Sequence, residues 1–398
     1  MLRPGSFALT VLLALLTGLG PLSVDMYLAS LPSIGRLLGA PAAQVQLTIS
    51  FYLVGFACAQ VVYGPLSDRH GRRPVLLAAL GLFLVASLVC TLAFSIETLI
   101  AARFLQAVGA SGAIVLARAV VRDMFEGSRI GREMSRMAAI TALAPLVAPL
   151  LGGVLETAFG WRSNFIALFG FGAAGFVMIW FLLPETLRQR APEPVSLAST
   201  LRSYRRFLEN PSFVAHLGIV ACCLSGLFAW ISASAFVLQD IYGYSAMAFG
   251  ISFAVASAGY LAGTSVAARF VTPWGSGRVM GIGTAAMALS GLIMALLLAF
   301  GPHRAEGLIA AASLYVFGMG MSLPQAQAGA LLPFPDRAGA ASSLLGFSTQ
   351  TLSAAVGAIV GHALGRTAWP LVFGILIAGG MSVLLWWFSR GVRSYSHH

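Results

Sequence analysis

Two charges stand in long apolar runs where lipid would leave little room for them. Asp25 lies in Gly20-Pro21-Leu22-Ser23-Val24-Asp25-Met26-Tyr27, and Arg103 lies in Ile100-Ala101-Ala102-Arg103-Phe104-Leu105-Gln106-Ala107-Val108-Gly109. A charge at membrane depth costs at least ~2.5–3.5 kcal/mol, so each must face a partner or polar surroundings. A carboxyl there can exchange a proton as its surroundings change, and an arginine, always charged, can hold the carboxylate. Asp25 could instead belong to a fixed ion pair or lie near the outer interface. Arg103 could instead join packed helices with its hydrogen bonds satisfied. At 1.5 Å per residue, Asp25 falls ~27 Å along a first span and Arg103 ~9 Å into an opposed fourth span. Both depths are in the outer half of the bilayer.

Further candidates are polar and aromatic residues inside apolar runs: Tyr27, Tyr52, Gln60, Gln106, Phe228, Trp230, Phe253, Tyr260, Gln325 and Gln350. An amphiphilic ligand needs apolar walls with a few placed hydrogen-bonding groups, although each of these residues also suits plain packing or an interface anchor. Glu156 and His362 are secondary candidates for proton exchange. Cys58, Cys90, Cys222 and Cys223 have neither metal-ligand nor disulfide spacing. There is no His-Glu-x-x-His, nucleophile elbow or Walker motif, which argues against an enzyme, ATP as driver, a metal or a cofactor.

The elements that position these residues are membrane spans. The 398 residues are 58% hydrophobic and 9% charged, a balance no soluble domain of this length sustains. The runs read as twelve spans, near 7–34, 44–65, 75–94, 97–121, 134–158, 161–183, 212–239, 246–270, 277–300, 306–331, 338–363 and 368–389. Residues 7–24 lack a convincing cleavage site and read as a retained span, and His397-His398 as a tag remnant. All 24 basic residues are arginine; 19 fall on one side of this topology, four on the other, and Arg103 lies within a span. The richer side is cytoplasmic by the positive-inside rule, which puts both termini inside. The net charge of +11 is dispersed over short loops, so nucleic acid is not the expected partner. The long arginine- and proline-bearing stretch 184–211 separates an N-terminal half, 1–183, from a C-terminal half, 212–398.

Between the second and third runs lies Gly64-Pro65-Leu66-Ser67-Asp68-Arg69-His70-Gly71-Arg72-Arg73-Pro74. Its Gly-x-Leu-x-Asp-Arg-x-Gly-Arg-Arg pattern resembles the signature loop of the major facilitator superfamily. Arg269, Gly275 and Arg278 stand where a degraded second copy would fall, without an acid. Pro149-x-x-Gly152-Gly153 looks like the fifth-helix motif of antiporters in that superfamily, with Ala148 where glycine is usual. Together with Asp25-Met26-Tyr27-Leu28-x-x-Leu31-Pro32, Arg103-x-x-Gln106-x-x-Gly109 and Val121-Arg122-Asp123, these resemble the Bcr/CflA family of drug:proton antiporters, which includes bicyclomycin and phenicol exporters. The likeness covers most of the first half and thins after about residue 190; Ala29 replaces a usual proline.

The resemblance implies an all-α membrane protein of two six-helix bundles, with substrate held near the midplane between them. It implies proton-driven export of a small amphiphilic drug from the bacterial inner membrane by a monomer, with protons and the lipid bilayer as the other partners. Asp25 and Arg103 then couple the proton. Gly64, Asp68, Arg69, Gly71, Arg72, Arg73, Pro149, Gly152 and Gly153 then govern conformation. Uptake of a small metabolite by a symporter or facilitator is the alternative, since an Asp25/Arg103 pair fits either direction.

Overall fold

The computed structural model describes residues 7–125, 128–187, 204–301, 304–334, 338–365 and 367–394. Among these the chain is helical and has no strand. It divides into two compact units, Met1–Val195 and Ser196–His398. The division falls within 184–211, of which residues 188–203 lie outside the described residues, as do Arg3, Arg337, Arg366 and the closing histidines.

In the first unit, α1 (Phe7–Asp25) passes into a 3₁₀ segment (Met26–Ser30) and then α2 (Leu31–Leu38). Pro32 has no N–H to offer the preceding turn, and Leu31 N–H instead bonds Leu28 C=O in the tighter register. The 3₁₀ turn therefore forms although Ala29 is not a proline. Next come α3 (Ala42–His70), α4 (Arg72–Thr91), α5 (Ile96–Met124), α6 (Ser128–Thr141), α7 (Ala144–Phe159) and α8 (Arg162–Leu182). The second unit contains α9 (Pro211–Phe236) with a short π turn (Val237–Ile241), α10 (Ala246–Trp274), α11 (Ser276–Phe300), α12 (Ala305–Leu331), α13 (Ala338–Ala363) and α14 (Trp369–Ser394).

Eleven helices among the described residues are long and apolar enough to cross a membrane. The remaining expected span, 134–158, is divided between α6 and α7. Pro145 explains the break, because its ring would strike the carbonyl four residues back, at Thr141, where α6 ends. Lipid as solvent explains side chains such as Phe181, 71% exposed on a helix that would otherwise be insoluble.

Polar groups decide where helices meet. On α6, Glu133 is buried and accepts a 2.7 Å bond from the Thr10 hydroxyl of α1, while Thr17 and Thr141 share a hydroxyl bond of 2.8 Å. On α7, the Glu156 carboxylate accepts from Ser30 and from Ser33, the latter at 2.6 Å. Arg162 closes α4 by donating to Thr91 C=O at 3.0 Å and Ala93 C=O at 2.9 Å, a cation placed at a helix C-terminus.

Candidate functional site

The signature loop is a helix–glycine–helix junction. Gly71 has φ +99°, and a Cβ there would stand 2.5 Å from Glu185 Oε2, so only glycine fits. Glu185 occupies that space because it caps α4: Oε1 accepts from Arg72 N–H at 2.9 Å and Oε2 from Arg73 N–H at 3.2 Å. A carboxylate at this end also opposes the helix dipole favourably. The Arg72 guanidinium bonds Asp68 at 2.5 Å, Asp123 at 2.8 Å and the Ser67 hydroxyl at 2.6 Å. Thr186 donates to the same Asp123 oxygen at 3.3 Å. Arg73 donates to Trp180 C=O at 2.5 Å, whereas Arg69 is exposed and Gly64 half-buried. The loop thus ties α3, α4, the end of α5 and the chain after α8 into one charged knot within the first unit. Glu185 escaped the sequence reading, although an acid directly after a span, in Pro184-Glu185-Thr186, was its visible signal. In the second unit, Gly275 joins α10 to α11 with φ +77°, a similar backbone without the acid.

At membrane depth Arg103 is fully buried on α5. Its guanidinium carbon lies 4.3 Å from the Tyr27 ring centroid and 4.2 Å from that of Tyr52. Phe165 of α8 stands further off at 5.9 Å. Nη1 donates to Gln106 Oε1 at 2.5 Å, and Gln106 passes the chain on to Ser87 at 2.8 Å. Nε and Nη2 have no hydrogen-bond partner among the described residues. Desolvating a guanidinium costs several kcal/mol. Two desolvated cation–π contacts at ~2 kcal/mol each and one charged hydrogen bond at ~1.5–3 kcal/mol offset a cost of that size. Two donor nitrogens are left for another acceptor.

Asp25 ends α1 and is 6% exposed. No ion pair joins it to Arg103 among the described residues. The structure brings Tyr27, Tyr52 and Gln106 to Arg103, so three of the candidate ligand contacts here serve the arginine. The Tyr27 hydroxyl is itself engaged by Thr48. Gln60 is half-buried on α3. In the second unit Phe228, Trp230 and Phe253 are buried, and Tyr260, Gln325 and Gln350 half-buried. His362 stands at an exposed position of α13.

Pro149, Gly152 and Gly153 are buried on α7. A Cβ on Gly152 would stand 2.6 Å from the carbonyl carbon of Met26 and closer still to its oxygen, so the glycine lets α7 lie on the backbone of the 3₁₀ segment. The fifth-helix motif therefore packs directly behind Asp25 and Tyr27. Sequence reasoning also missed Glu133, which stands one residue before the expected fifth span, between Arg132 and Arg136.

Comparison with known proteins fits this geometry. The chain is 36% identical over 357 residues to the "Uncharacterized MFS-type transporter YdgK" of Bacillus subtilis, covering 89% of this chain and 88% of that one. It is 33% identical over 398 residues to "Multidrug resistance protein MdtL" of Escherichia fergusonii, covering 99% and 96%. Its fold matches the xylose transporter XylE from E. coli with a TM-score of 0.74 at 16% identity, over 97% of each chain. The family model described as Major Facilitator Superfamily matches residues 13–358, and the chain belongs to that superfamily.

Proposed function

We propose that this protein is a proton-driven exporter of small amphiphilic drugs of the bicyclomycin or phenicol type, of the Bcr/CflA kind. It works by alternating access in the bacterial inner membrane, as a monomer with both termini cytoplasmic. The observation that carries the direction is the 33% identity across 99% of the chain to a protein named for multidrug resistance. Solved neighbours include a D-xylose-proton symporter, so fold alone does not favour export over uptake.

In this reading Asp25 carries the proton and Arg103 reads its charge. Ionised Asp25 draws the guanidinium through its two unpartnered nitrogens. Neutral Asp25 leaves it to Tyr27, Tyr52 and Gln106. Protonation thereby exchanges the partners of one buried cation, and the drug competes with the proton for the arrangement that results.

Everted membrane vesicles test the reading. After respiration acidifies the lumen, chloramphenicol or bicyclomycin should release protons from vesicles containing the wild-type protein and not from those containing Asp25→Asn. Accumulation of these drugs by intact cells, driven by the proton gradient, would instead establish uptake.

A further inference from the structure

We infer that Glu133 is a second proton-binding carboxylate, the site at which protons leave Asp25 for the cytoplasm. This rests on the coupling role proposed for Asp25. Glu133 is 5% exposed on α6, with Oε2 held by the Thr10 hydroxyl at 2.7 Å and Oε1 by Arg136 Nη1 at 2.6 Å. Its cation is unlike the carboxylate, because the Arg136 side chain is 54% exposed. The pair therefore joins a buried acid to solvent.

Placement adds direction. Thr10 is fifteen residues from Asp25 on the same helix, or ~22 Å. The Thr17–Thr141 hydroxyl pair lies between these levels. No charged residue but Asp25 occurs on α1. The inner end of α5 has Arg118, Arg122 and Asp123, of which Asp123 is committed to Arg72 and both arginines stand at exposed positions. On α6 itself, Arg129 and Arg132 are exposed. Arg136 is thus the one cation bonded to Glu133 among the described residues.

The transfer consumes nothing else. The O–H bond at Asp25 breaks, and the proton passes through water and the threonine hydroxyls, each giving up one proton as it takes another. An O–H bond forms at Glu133 while its contact with Arg136 loosens. Cytoplasmic water then removes the proton, and the ion pair re-forms.

Infrared spectroscopy on the full protein in lipid vesicles tests this without a drug. A jump from acid to neutral pH should bleach two protonated-carboxyl C=O bands, one absent in Asp25→Asn and the other in Glu133→Gln. In Glu133→Gln, whose amide keeps the bonds to Thr10, the Asp25 band should bleach at least tenfold more slowly to the same endpoint. Glu133→Asp should restore the rate to within threefold. If Glu133→Gln does not fold, Arg136→Gln, at an exposed position, should slow the same band. An unchanged Asp25 rate in Glu133→Gln, or in Arg136→Gln where that substitute is used, overturns the inference. Absence of any titrating band assignable to Asp25 overturns the coupling reading itself; a band lost only in Glu133→Gln would then leave Glu133 as the proton site.

Discussion

Replacing Gly152 by alanine tests how tightly the 3₁₀ segment of the first span is held. The new methyl group would stand 2.6 Å from the Met26 carbonyl carbon, with main chain on both sides. Ordinary carbon contacts need ~3.5 Å and the Met26 oxygen is closer still than the carbon, so α7 must retreat by more than about 1 Å. Overpacking of this kind costs up to ~3 kcal/mol. The retreat also weakens the Ser30 and Ser33 bonds to Glu156, at ~1 kcal/mol, while the better helix propensity of alanine returns about as much. The net loss is about 3 kcal/mol. On a scale of ~2–4 °C per kcal/mol for a unit of this size, that is a fall of roughly 6–12 °C in melting temperature. Gly170→Ala is the control, since nothing lies within 4 Å of its Cβ. Thermal melts of both variants in detergent decide the matter. If Gly152→Ala melts within about 2 °C of wild type, well short of the fall the scale predicts, α7 does not rest on the Met26 backbone.

Four further outcomes are expected. Asp25→Asn should abolish proton-coupled efflux and flatten the pH dependence of drug affinity between about pH 5.5 and 8.5; an unaltered dependence in purified protein would move the proton site elsewhere. Asp68→Asn should slow transport yet leave drug binding within about threefold, roughly 0.65 kcal/mol, because the pair with Arg72 is 42% exposed on the aspartate side and lies at the loop. Equal losses of binding and transport would contradict that. Glu185→Ala should destabilise the first unit by about 1–2 kcal/mol through loss of the α4 cap, read as a lowered melting temperature; an unshifted melt would show that the cap contributes nothing. A cysteine at Ser199, outside the described residues, should resist a membrane-impermeant label in intact cells, and labelling there would reverse the proposed topology.

The spans were legible because lipid demands length and apolarity, and both are plain in the sequence. The division of the fifth span was only partly legible: Pro145 costs a helix its bond to Thr141, but Pro149 and other prolines here lie inside unbroken helices, so a proline alone does not mark a break. Asp25 and Arg103 stood out as isolated charges. Their surroundings did not, since no spacing tells which rings face a cation; that Tyr27 and Tyr52, singled out as ligand walls, also flank Arg103 is visible only in the fold. Glu133 was hidden for the opposite reason. It sits among arginines at a span edge, where a charge needs no special account, and only its contact with Thr10 shows that it is inside.

The hydroxyl and carboxylate bonds between the first and fifth spans have a mechanical consequence. The two rods are pinned near both ends, at Thr10–Glu133 and at Ser30 and Ser33–Glu156. Each also has a joint between its pins, at the 3₁₀ segment beginning at Met26 and at the gap between Thr141 and Ala144. Such a linkage cannot slide lengthwise without breaking a pin. Any load applied at one end must be taken up as flexure at the joints, and one joint begins right after the acid whose charge would drive the stroke.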